Sequence, residues 1–359
     1  MFSSAKKIRV LVVDDSALAR QIIINGLSAN PDIEVVGYAI NALDAKAKIS
    51  RLSPDVVTMD VEMPGMNGID FLKQYLPEHP IPVILVSSLN LRIFDALEAG
   101  AVDFVRKPDG TESRESFLRA LAQKVRIASC AKVRRPSSLH TAGGLHQTVA
   151  QPAQPSSFLS HAASEARLNH TIIGLGASTG GTEATLEVLK RLPADIPGMV
   201  VVQHMPVGFT KMYAERLDRL CQMEVREAVN GDEIRRGLVL IAPADLQVKV
   251  IRMGERYTLS CFPGEKVSGH RPSVDALFSS MAACVKCHMV GIIMTGMGRD
   301  GASGLLEMRK AGAYTIGQDK ESCVVYGMPM VAHDIGAVTV QASCTNIASV
   351  LMTHLKSEK

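Results

Sequence analysis

The sequence predicts two α/β domains in tandem, joined by a linker. Short apolar runs alternate with amphipathic stretches over residues 8–130, and the same alternation returns from about residue 169 onward. Near-continuous apolar strands separated by helices are typical of parallel sheets covered on both faces. Residues 131–168 instead are rich in Ser, Ala, Pro, Gln and His and show no sustained period. We therefore expect a first domain over residues 1–130, a linker over 131–168 and a second domain over 169–359.

Composition limits the classes of function. The chain has 359 residues, 47% of them hydrophobic and 21% charged, which suits two globular domains with sizeable cores. Its net charge is only +3, so we do not expect nucleic acid as a partner. No uncharged stretch approaches the roughly 18 to 20 residues that cross a bilayer, and the first apolar run is too short for a signal peptide. We expect a cytoplasmic protein without membrane insertion, with its seven cysteines reduced.

Five predicted strands form the first domain. The apolar runs that predict them are Ile8–Val13, Ile33–Ala39, Val56–Met59, Val83–Ser87 and Ala101–Val105. Five strands alternating with helices over this length fit the flavodoxin-like doubly wound order. A sheet of that kind binds its ligands at the carboxyl ends of the strands, so polar residues at those ends are the candidate functional groups.

Five polar residues collect at that edge. Asp14 and Asp15 follow the first strand, Asp60 the third and Lys107 the fifth, while Ser87 ends the fourth. Three carboxylates repel one another unless a divalent cation lies among them, and oxygen ligands suit Mg²⁺. Asp60 is then placed to attack a phosphoryl group, with Lys107 and Ser87 sharing the charge of its oxygens. Acidic residues also commonly end strands and cap helices, so a structural role for the Asp14–Asp15 pair stays open.

The first domain resembles the response-regulator receiver domain. The matching motifs are Val13-Asp14-Asp15-Ser16, Asp60-Val61-Glu62-Met63-Pro64-Gly65-Met66-Asn67-Gly68 and Lys107-Pro108. The resemblance implies that a histidine kinase phosphorylates Asp60 and that Ser87 and Phe104 are the switch residues.

The second domain shows four further strong strands and a differently patterned insert. The strands are predicted at Thr171–Gly176, Met199–Gln203, Met289–Met294 and Ala313–Gly317, with helices beginning near Gly180, Gly208 and Gly301. This alternation predicts a doubly wound domain with a mainly parallel sheet. The insert over residues 224–261 is expected to form antiparallel decoration, with short strands around Leu238–Ala242, Gln247–Arg252 and Arg256–Cys261.

Three strand ends of this domain suggest nucleophilic catalysis. Ser178 lies in a tight turn between a strand and a helix, which makes it a candidate nucleophile. His204 follows the neighbouring strand and is the best candidate for its base, and Asp300 follows a third strand and could steady the imidazole. Helix capping or core packing would explain each of the last two residues singly. Backbone N–H groups of Thr179, Gly180 and Met297 are tentative oxyanion donors.

Two other motifs offer competing interpretations. Gly174-x-Gly176 followed by Gly180 hints at a dinucleotide fingerprint, although Gln203 and His204 end the next strand where a ribose-binding acid is wanted. Cys284, Cys287 and His288 spell a haem-attachment string, but helical spacing before them favours buried thiols at a helix end.

Residues from about 170 to 355 resemble the catalytic domain of the chemotaxis protein-glutamate methylesterase. The motifs that carry this resemblance are Gly176-Ala177-Ser178-Thr179-Gly180-Gly181, Gln203-His204-Met205-Pro206, Arg271-Pro272-Ser273-Val274-Asp275, Thr295-Gly296-Met297-Gly298-Arg299-Asp300-Gly301, Gln318-Asp319 and Gly327-Met328-Pro329.

The resemblance implies a phosphorylation-controlled esterase. Its substrates would be the glutamate γ-methyl esters of methyl-accepting chemoreceptors, with methanol as product and receptor glutamines as further substrates. It places the triad on Ser178, His204 and Asp300, requires no cofactor at the esterase site, and puts Arg271, Asp275 and Asp319 near the cleft. The alternative is a response regulator whose second domain only binds a partner.

One segment departs from the family pattern. Where the family continues its Ala-Pro turn with glycines and a histidine, this chain has Ala244, Asp245, Leu246 and Gln247. The triad is untouched, but the departure leaves open which substrate contacts this segment makes.

Overall fold

Two parallel sheets organise the chain in the computed structural model, which describes residues 6–88, 93–108, 113–133 and 168–357. The first sheet has the order β2-β1-β3-β4-β5, which confirms the flavodoxin-like prediction. Its strands are β1 Ile8–Val13, β2 Ile33–Ala39, β3 Val56–Asp60, β4 Val83–Ser87 and β5 Asp103–Arg106. The helices that cover them are α1 Ala17–Ser28, α2 Ala42–Leu52, α3 Gly68–Tyr75, α4 Ile93–Glu98 and α5 Arg114–Ser129. The predicted linker lies mostly outside the described residues.

The fifth strand begins later than the sequence indicates. Ala101, the first residue of the predicted strand, donates its N–H to the carbonyl of Ala96 at the end of α4, 3.0 Å away. Its backbone therefore closes the helix, and the strand begins at Asp103. An apolar pattern cannot reveal this difference, because Ala101 and Val102 are buried in either arrangement.

The second sheet has seven strands, and every pairing within it is parallel. Their order is β15-β14-β13-β6-β7-β10-β8. The strands are β6 Thr171–Ala177, β7 Gly198–Gln203, β8 Glu224–Glu227, β10 Leu238–Ile241, β13 His288–Ile293, β14 Tyr314–Gln318 and β15 Val340–Ala342. The helices are α6 Gly181–Leu189, α7 Phe209–Leu220, α8 Val274–Cys284, α9 Ala302–Lys310, α10 Met328–Asp334 and α11 Ile347–Lys356. Among the described residues, no helix combines the length and apolar character needed to cross a bilayer.

The predicted antiparallel insert is correct only in part. The strands β11 Gln247–Met253 and β12 Arg256–Phe262 form an antiparallel hairpin, which β9 Asp232–Glu233 extends. The assignment of Leu238–Ile241 to this decoration was wrong, because that strand pairs in parallel with β7 and β8 inside the main sheet. All four of its residues are buried, as in a strand covered on both faces.

The glycines of β6 serve helix packing. A Cβ atom placed on Gly174 would lie 2.7 Å from Met281 Sδ, and one on Gly176 would collide with Val274. Both contacts come from α8, which lies directly against the strand. Close approach of a helix therefore accounts for the glycines that suggested a dinucleotide fingerprint.

The first domain packs on the second through aromatic side chains. The rings of Phe104 and Phe209 lie 4.6 Å apart between centroids, and those of Phe94 and Tyr213 lie 5.8 Å apart. The first residue of each pair lies in α4 or β5, and the second lies in α7. Buried residues form one continuous hydrophobic cluster across both domains.

An arginine and the chain after α5 extend this contact. The Arg216 guanidinium, only 7% exposed, donates to Glu183 at 2.8 Å and to Glu98 of the first domain at 3.2 Å. Lys132, at the start of the predicted linker, donates its backbone N–H to the carbonyl of Val324 at 2.9 Å. Both contacts lie beside the helix that follows Ser178, because Glu183 belongs to α6 and Val324 packs against Gly180.

Candidate active site

Ser178 and His204 follow two adjacent strands of the second sheet. Ala177 and Gln203, which precede them, are register partners across β6 and β7. The backbone N–H of His204 donates to the carbonyl of Ala177 at 3.1 Å, and the Gln203 side-chain amide donates to the carbonyl of Ser178 at 2.8 Å. These bonds hold the two residues side by side at the carboxyl edge of the sheet.

A glycine turns each of the three predicted strand ends into a helix. Gly180, Gly208 and Gly301 are the N-caps of α6, α7 and α9, with φ values of +76°, +88° and +90°. A residue with a Cβ atom is strained at such angles, so glycine permits an abrupt start of the helix. The helix starts predicted near these glycines are confirmed.

His204 is joined to Asp300. The Nε2 atom of the imidazole lies 2.9 Å from Oδ2 of the carboxylate, whose residue is only 1% exposed. Asp300 also accepts from the Ser273 hydroxyl at 2.7 Å and from the backbone N–H groups of Val274 and Asp275 at 2.8 and 3.0 Å. Asp300 therefore lies at the N-terminus of α8, where the helix dipole favours an anion.

These partners keep Asp300 charged. Burial on its own would raise the pKa of the carboxyl, but the hydrogen bond and charge of His204 and the bonds from Ser273 and Asp275 hold that pKa below its ordinary value. A charged, fully bonded carboxylate fixes the direction of the imidazole that it binds.

The other imidazole nitrogen, Nδ1, makes no such bond in the part of the chain that the structure describes. Nδ1 of His204 is buried and has no hydrogen-bond partner among the described residues. With Nε2–H directed at Asp300, neutral imidazole carries its lone pair on Nδ1. A lone pair on Nδ1 is what a base needs, and Ser178, the predicted nucleophile, lies on the neighbouring strand end and is partly exposed.

The loop before Asp300 runs beside Ser178. The Ser178 N–H donates to the carbonyl of Thr295 at 2.9 Å, and the Thr295 hydroxyl donates to the carbonyl of Thr179 at 3.0 Å. A Cβ atom on Gly296 would lie 2.6 Å from that of Ser178, so the next residue, the 45% exposed Met297, flanks the serine. The three predicted oxyanion donors thus lie in the two loops that meet at Ser178.

A second cluster occupies the edge of the first sheet. Asp14, Asp15 and Asp60 each present an oxygen within 4.8 Å of the others, a grouping that could hold a metal ion. Lys107 Nζ lies 2.8 Å from Asp14 and 2.5 Å from Asp60. Burial raises the pKa of Asp60 even though Lys107 opposes that effect. The structure thus brings together the carboxylates and the lysine predicted from the sequence.

The two predicted switch residues lie in different places. Ser87, 1% exposed, is at the edge beside the cluster, where its carbonyl accepts from the Lys107 N–H at 2.9 Å. Phe104 lies on β5 and packs against Phe209 of the second domain. Its neighbour Asp103 accepts a hydrogen bond from the Thr179 hydroxyl at 2.6 Å. Strand β5 therefore touches the residue after Ser178 and leads directly to Lys107.

Known proteins show the same two domains. A family model for CheB methylesterase matches residues 173–351, and one for the response regulator receiver domain matches residues 10–117. A protein-glutamate methylesterase/protein-glutamine glutaminase 2 of Syntrophomonas wolfei is 48% identical, covering 96% of this chain and 97% of the relative. A protein-glutamate methylesterase/protein-glutamine glutaminase of Syntrophotalea carbinolica is 46% identical, covering 99% of both chains.

The chain belongs to the CheB methylesterase family. The crystal structure of the Thermotoga maritima CheB methylesterase catalytic domain is similar to its second domain, with a TM-score of 0.50 and 35% sequence identity. That match covers 51% of this chain and 97% of the other.

The other residues suggested by the CheB methylesterase resemblance have local partners. Arg271 donates to Asp245 at 2.9 Å and to the carbonyl of Gly264 at 2.7 Å. The carboxylate of Asp275 accepts from the N–H of Gly304 at 2.8 Å, and Asp319 accepts from the N–H of Ser322 at the same distance. These contacts fix loops and helix starts around the site.

Two residues of the site were missed by sequence reasoning. Ser273 binds Asp300, and the imidazole of His270 is stacked on that of His204 with centroids 3.8 Å apart. Both lie just before α8. The family resemblance put Arg271 and Asp275 of this region near the cleft, but it assigned no role to Ser273 or His270. Ser273 could have been found as the N-cap of that helix, since a serine before an apolar helical run is a common cap.

Proposed function

We propose that this chain hydrolyses glutamate γ-methyl esters on chemoreceptors and that phosphorylation of its receiver domain controls the reaction. The observation that carries the proposal is the arrangement at one sheet edge: His204 is bound through Nε2 to Asp300, and Ser178 ends the strand next to that of His204. The names of the similar proteins support the choice of substrate. We place the reaction in the cytoplasm, where the signalling ends of chemoreceptors would be reached.

The chemistry follows from these three side chains. Ser178 Oγ attacks the ester carbonyl while His204 Nδ1 removes the hydroxyl proton, and Asp300 stabilises the imidazolium that forms. Backbone N–H groups of Thr179, Gly180 and Met297 stabilise the oxyanion. The C–O bond to the methoxy group then breaks, and His204 returns the proton so that methanol leaves. Water, deprotonated by His204, next attacks the acyl-enzyme and releases the glutamate side chain and Ser178.

The same attack deamidates glutamine. The tetrahedral intermediate then expels ammonia, which takes its proton from His204, and the same acyl-enzyme follows. A γ-amide and a γ-methyl ester are similar in size and differ only in the leaving group. The glutaminase activity in the names of the relatives is therefore compatible with one site.

The receiver edge is proposed to accept a phosphoryl group from a histidine kinase. Asp60 is the nucleophile, and Asp14, Asp15 and Asp60 would hold Mg²⁺, which fits their cluster of hard oxygen atoms. Bound there, Mg²⁺ would neutralise charge on the phosphoryl oxygens. Lys107 would exchange a carboxylate partner for one of those oxygens, and the Ser87 hydroxyl would bind another.

Control of the esterase follows from the contact between the domains. Asp103 holds Thr179, the residue after the nucleophile, and the receiver packs beside it through Phe104. Phosphorylation near Lys107 acts on the same short strand that carries both residues. We propose that it shifts the population toward a form in which the receiver has left the Ser178 edge.

The decisive test measures methanol released from receptor membranes carrying radiolabelled methyl esters, with and without a small-molecule phosphodonor. We expect release that the phosphodonor stimulates and that Ser178→Ala abolishes, together with labelling of wild-type Ser178 by an active-site serine probe. A correctly folded wild-type protein that releases no methanol and resists the probe would support the rival function, a second domain that only binds a partner.

A further inference from the structure

A single buried amide organises the loop next to the His204 imidazole. Gln247, 2% exposed, is the first residue of β11. Its Nε2 donates to the carbonyl of Glu265 at 2.9 Å and to that of His270 at 3.0 Å, and its Oε1 accepts from the N–H of Ser273 at 3.0 Å. All three hydrogen bonds join Gln247 to one segment, residues 263–273, which lies between β12 and α8.

That segment contacts both His204 and its carboxylate partner Asp300. The His270 ring is stacked on the His204 ring, with an angle of 5° between the ring planes and centroids 3.8 Å apart. The Ser273 hydroxyl binds Asp300 at 2.7 Å. Gln247 thus binds the two residues that hold His204 and Asp300 in place, without contacting either of that pair itself.

The stack supplies a restraint that the carboxylate cannot. A hydrogen bond at Nε2 leaves the imidazole free to tilt about that contact, and a tilt changes the direction of the lone pair on Nδ1. A parallel ring against one face of His204 opposes the tilt. Because misplacement of a reacting group by about 1 Å can cost a factor of about 100 in rate, such a restraint matters for the reaction.

We propose that Gln247 is a positioning residue of the esterase, which fixes the loop that stacks His270 on His204 and thereby restrains the imidazole that binds Asp300. The inference rests on the proposed function. A glutamine amide offers two donors and an acceptor, whereas neutral imidazole offers one of each, so glutamine can make all three bonds seen here.

The charge of His270 is compatible with this role. Burial, and then the nearness of His204, lower the pKa of His270 to about 4. Of the other charges that act on it, Asp300 raises this pKa, whereas Lys266 and the receiver's Lys124 lower it. At neutral pH the stacked ring is therefore uncharged and does not repel the imidazolium that forms on His204 during the reaction.

The test compares full-length variants under phosphodonor stimulation on methylated receptor membranes. For Gln247→Leu, which keeps the approximate size but removes the amide, we expect kcat to fall about 10-fold to 100-fold with KM within about twofold. Gln247→His restores a donor and should recover part of kcat. Gln222→Leu, at an exposed glutamine of the same domain, is the matched control and should behave as wild type.

A readout independent of activity is the nitrogen spectrum of His204 in protein labelled with ¹⁵N-histidine. Gln247→Leu should shift and broaden the Nδ1 resonance, which Gln222→Leu leaves in place. His270→Ala should reproduce the kcat loss, and His270→Phe, which keeps an aromatic ring, should lose less. The double variant Gln247→Leu/His270→Ala should lose less than the product of the single losses, because both changes release the same stack.

A folded Gln247→Leu protein with wild-type kcat and an unshifted Nδ1 resonance would overturn the inference. Should that variant fail to fold, Gln247→His and the two His270 variants decide, since equal losses in His270→Ala and His270→Phe also contradict a stacking role. Failure of the proposed function has a different signature: wild type then releases no methanol, while the Nδ1 resonance still reports whether Gln247 positions the ring.

Discussion

Both domains carry a cluster of polar side chains at the carboxyl edge of a parallel sheet, but the two clusters differ in charge and bonding. At the receiver edge, two carboxylates lie against one ammonium group, with Lys107 2.8 Å from Asp14 and 2.5 Å from Asp60. At the esterase edge, a single buried carboxylate, Asp300, accepts a hydrogen bond from Ser273 and is bound to His204 Nε2. The first arrangement suits the arrival of a phosphoryl charge, and the second suits the movement of a proton.

The difference lies in what surrounds each acid. Burial raises the pKa of Asp60, whereas Asp300, at the N-terminus of α8, has a pKa below its ordinary value. Under the proposed function, a bound cation or a transferred phosphoryl group at the receiver edge would offset the burial of Asp60 and its repulsion by Asp14. Asp300 at the esterase edge already has its hydrogen-bond partners and needs no such relief. We therefore expect the charge at the receiver edge to change during regulation and the hydrogen bonds of Asp300 to stay the same.

The largest expected effect separates the two edges directly. Ser178→Ala should reduce methanol release by about 10⁴-fold or more, because no nucleophile remains. Asp60→Asn should leave the unstimulated rate within about twofold and abolish only the response to phosphodonor. Methanol release measured with and without phosphodonor checks both. Loss of the unstimulated rate in a folded Asp60→Asn protein would mean that the edges are not separate.

The second effect tests whether the hydrogen-bonded carboxylate of Asp300 is needed to orient His204. Asp300→Asn should lower kcat about 10²-fold to 10⁴-fold, because an amide presents a donor to His204 or to the N–H groups of α8 and favours the wrong imidazole tautomer. Asp275→Asn is the control, since that carboxylate binds Gly304 and Ser268 instead. We expect the control to lower the melting temperature and to spare kcat. Equal losses of kcat in the two variants would contradict a direct role for Asp300.

The sequence revealed both edges but not what holds them. Ser178, His204 and Asp300 were found because each follows an apolar run, and the carboxyl ends of parallel strands share one edge. The bonds from Gln247 to the segment before α8 and from Thr179 to Asp103 depend on the packing of an insert and of a second domain. No periodicity encodes such contacts between residues distant in the chain.

The same limit explains the misplaced strand of the insert. Leu238–Ile241 is a run of four apolar residues, which fits a strand of either sheet, and only its pairing with β7 and β8 settles the choice. The start of the fifth strand was predicted at Ala101 instead of Asp103 for a related reason. A hydrogen bond from the Ala101 N–H to α4 excludes Ala101 from the strand. The sequence patterns predicted which residues are buried, but they did not predict which strands or helices the backbone of those residues pairs with.

A smaller effect should arise where the two edges are connected. Asp103→Ala removes the acceptor of the Thr179 hydroxyl and should raise the unphosphorylated rate about 10-fold to 100-fold, since a hydrogen bond to a charged group contributes about 1.5 to 3 kcal/mol. Glu98→Gln, which alters the largely exposed partner of Arg216, should raise it less. Initial rates without phosphodonor check both variants. An unchanged or lower rate in folded Asp103→Ala would show that this contact does not restrain the site.

The smallest effect concerns the pH at which the esterase edge loses its fixed structure. The pKa of His270 is about 4 in the folded chain and about 6.5 when unfolded, so the unfolded state binds the proton more readily between these values. Stability contributed by neutral His270 is therefore present above pH 6.5 and is lost as the pH falls toward 4. After a discount for partial exposure, the loss between pH 7 and pH 5 is about 1 kcal/mol.

His270→Phe cannot take up that proton, so its melting temperature should fall about 2 to 4 °C less than that of wild type between pH 7 and pH 5. Calorimetry of both proteins at the two pH values measures this difference, in which any pH-independent cost of the substitution cancels. Parallel melting curves would show that His270 is as easily protonated in the fold as in water. A ring with that freedom would carry a charge against His204 under mildly acidic conditions, and the esterase edge would then respond to protons much as the receiver edge responds to phosphoryl groups.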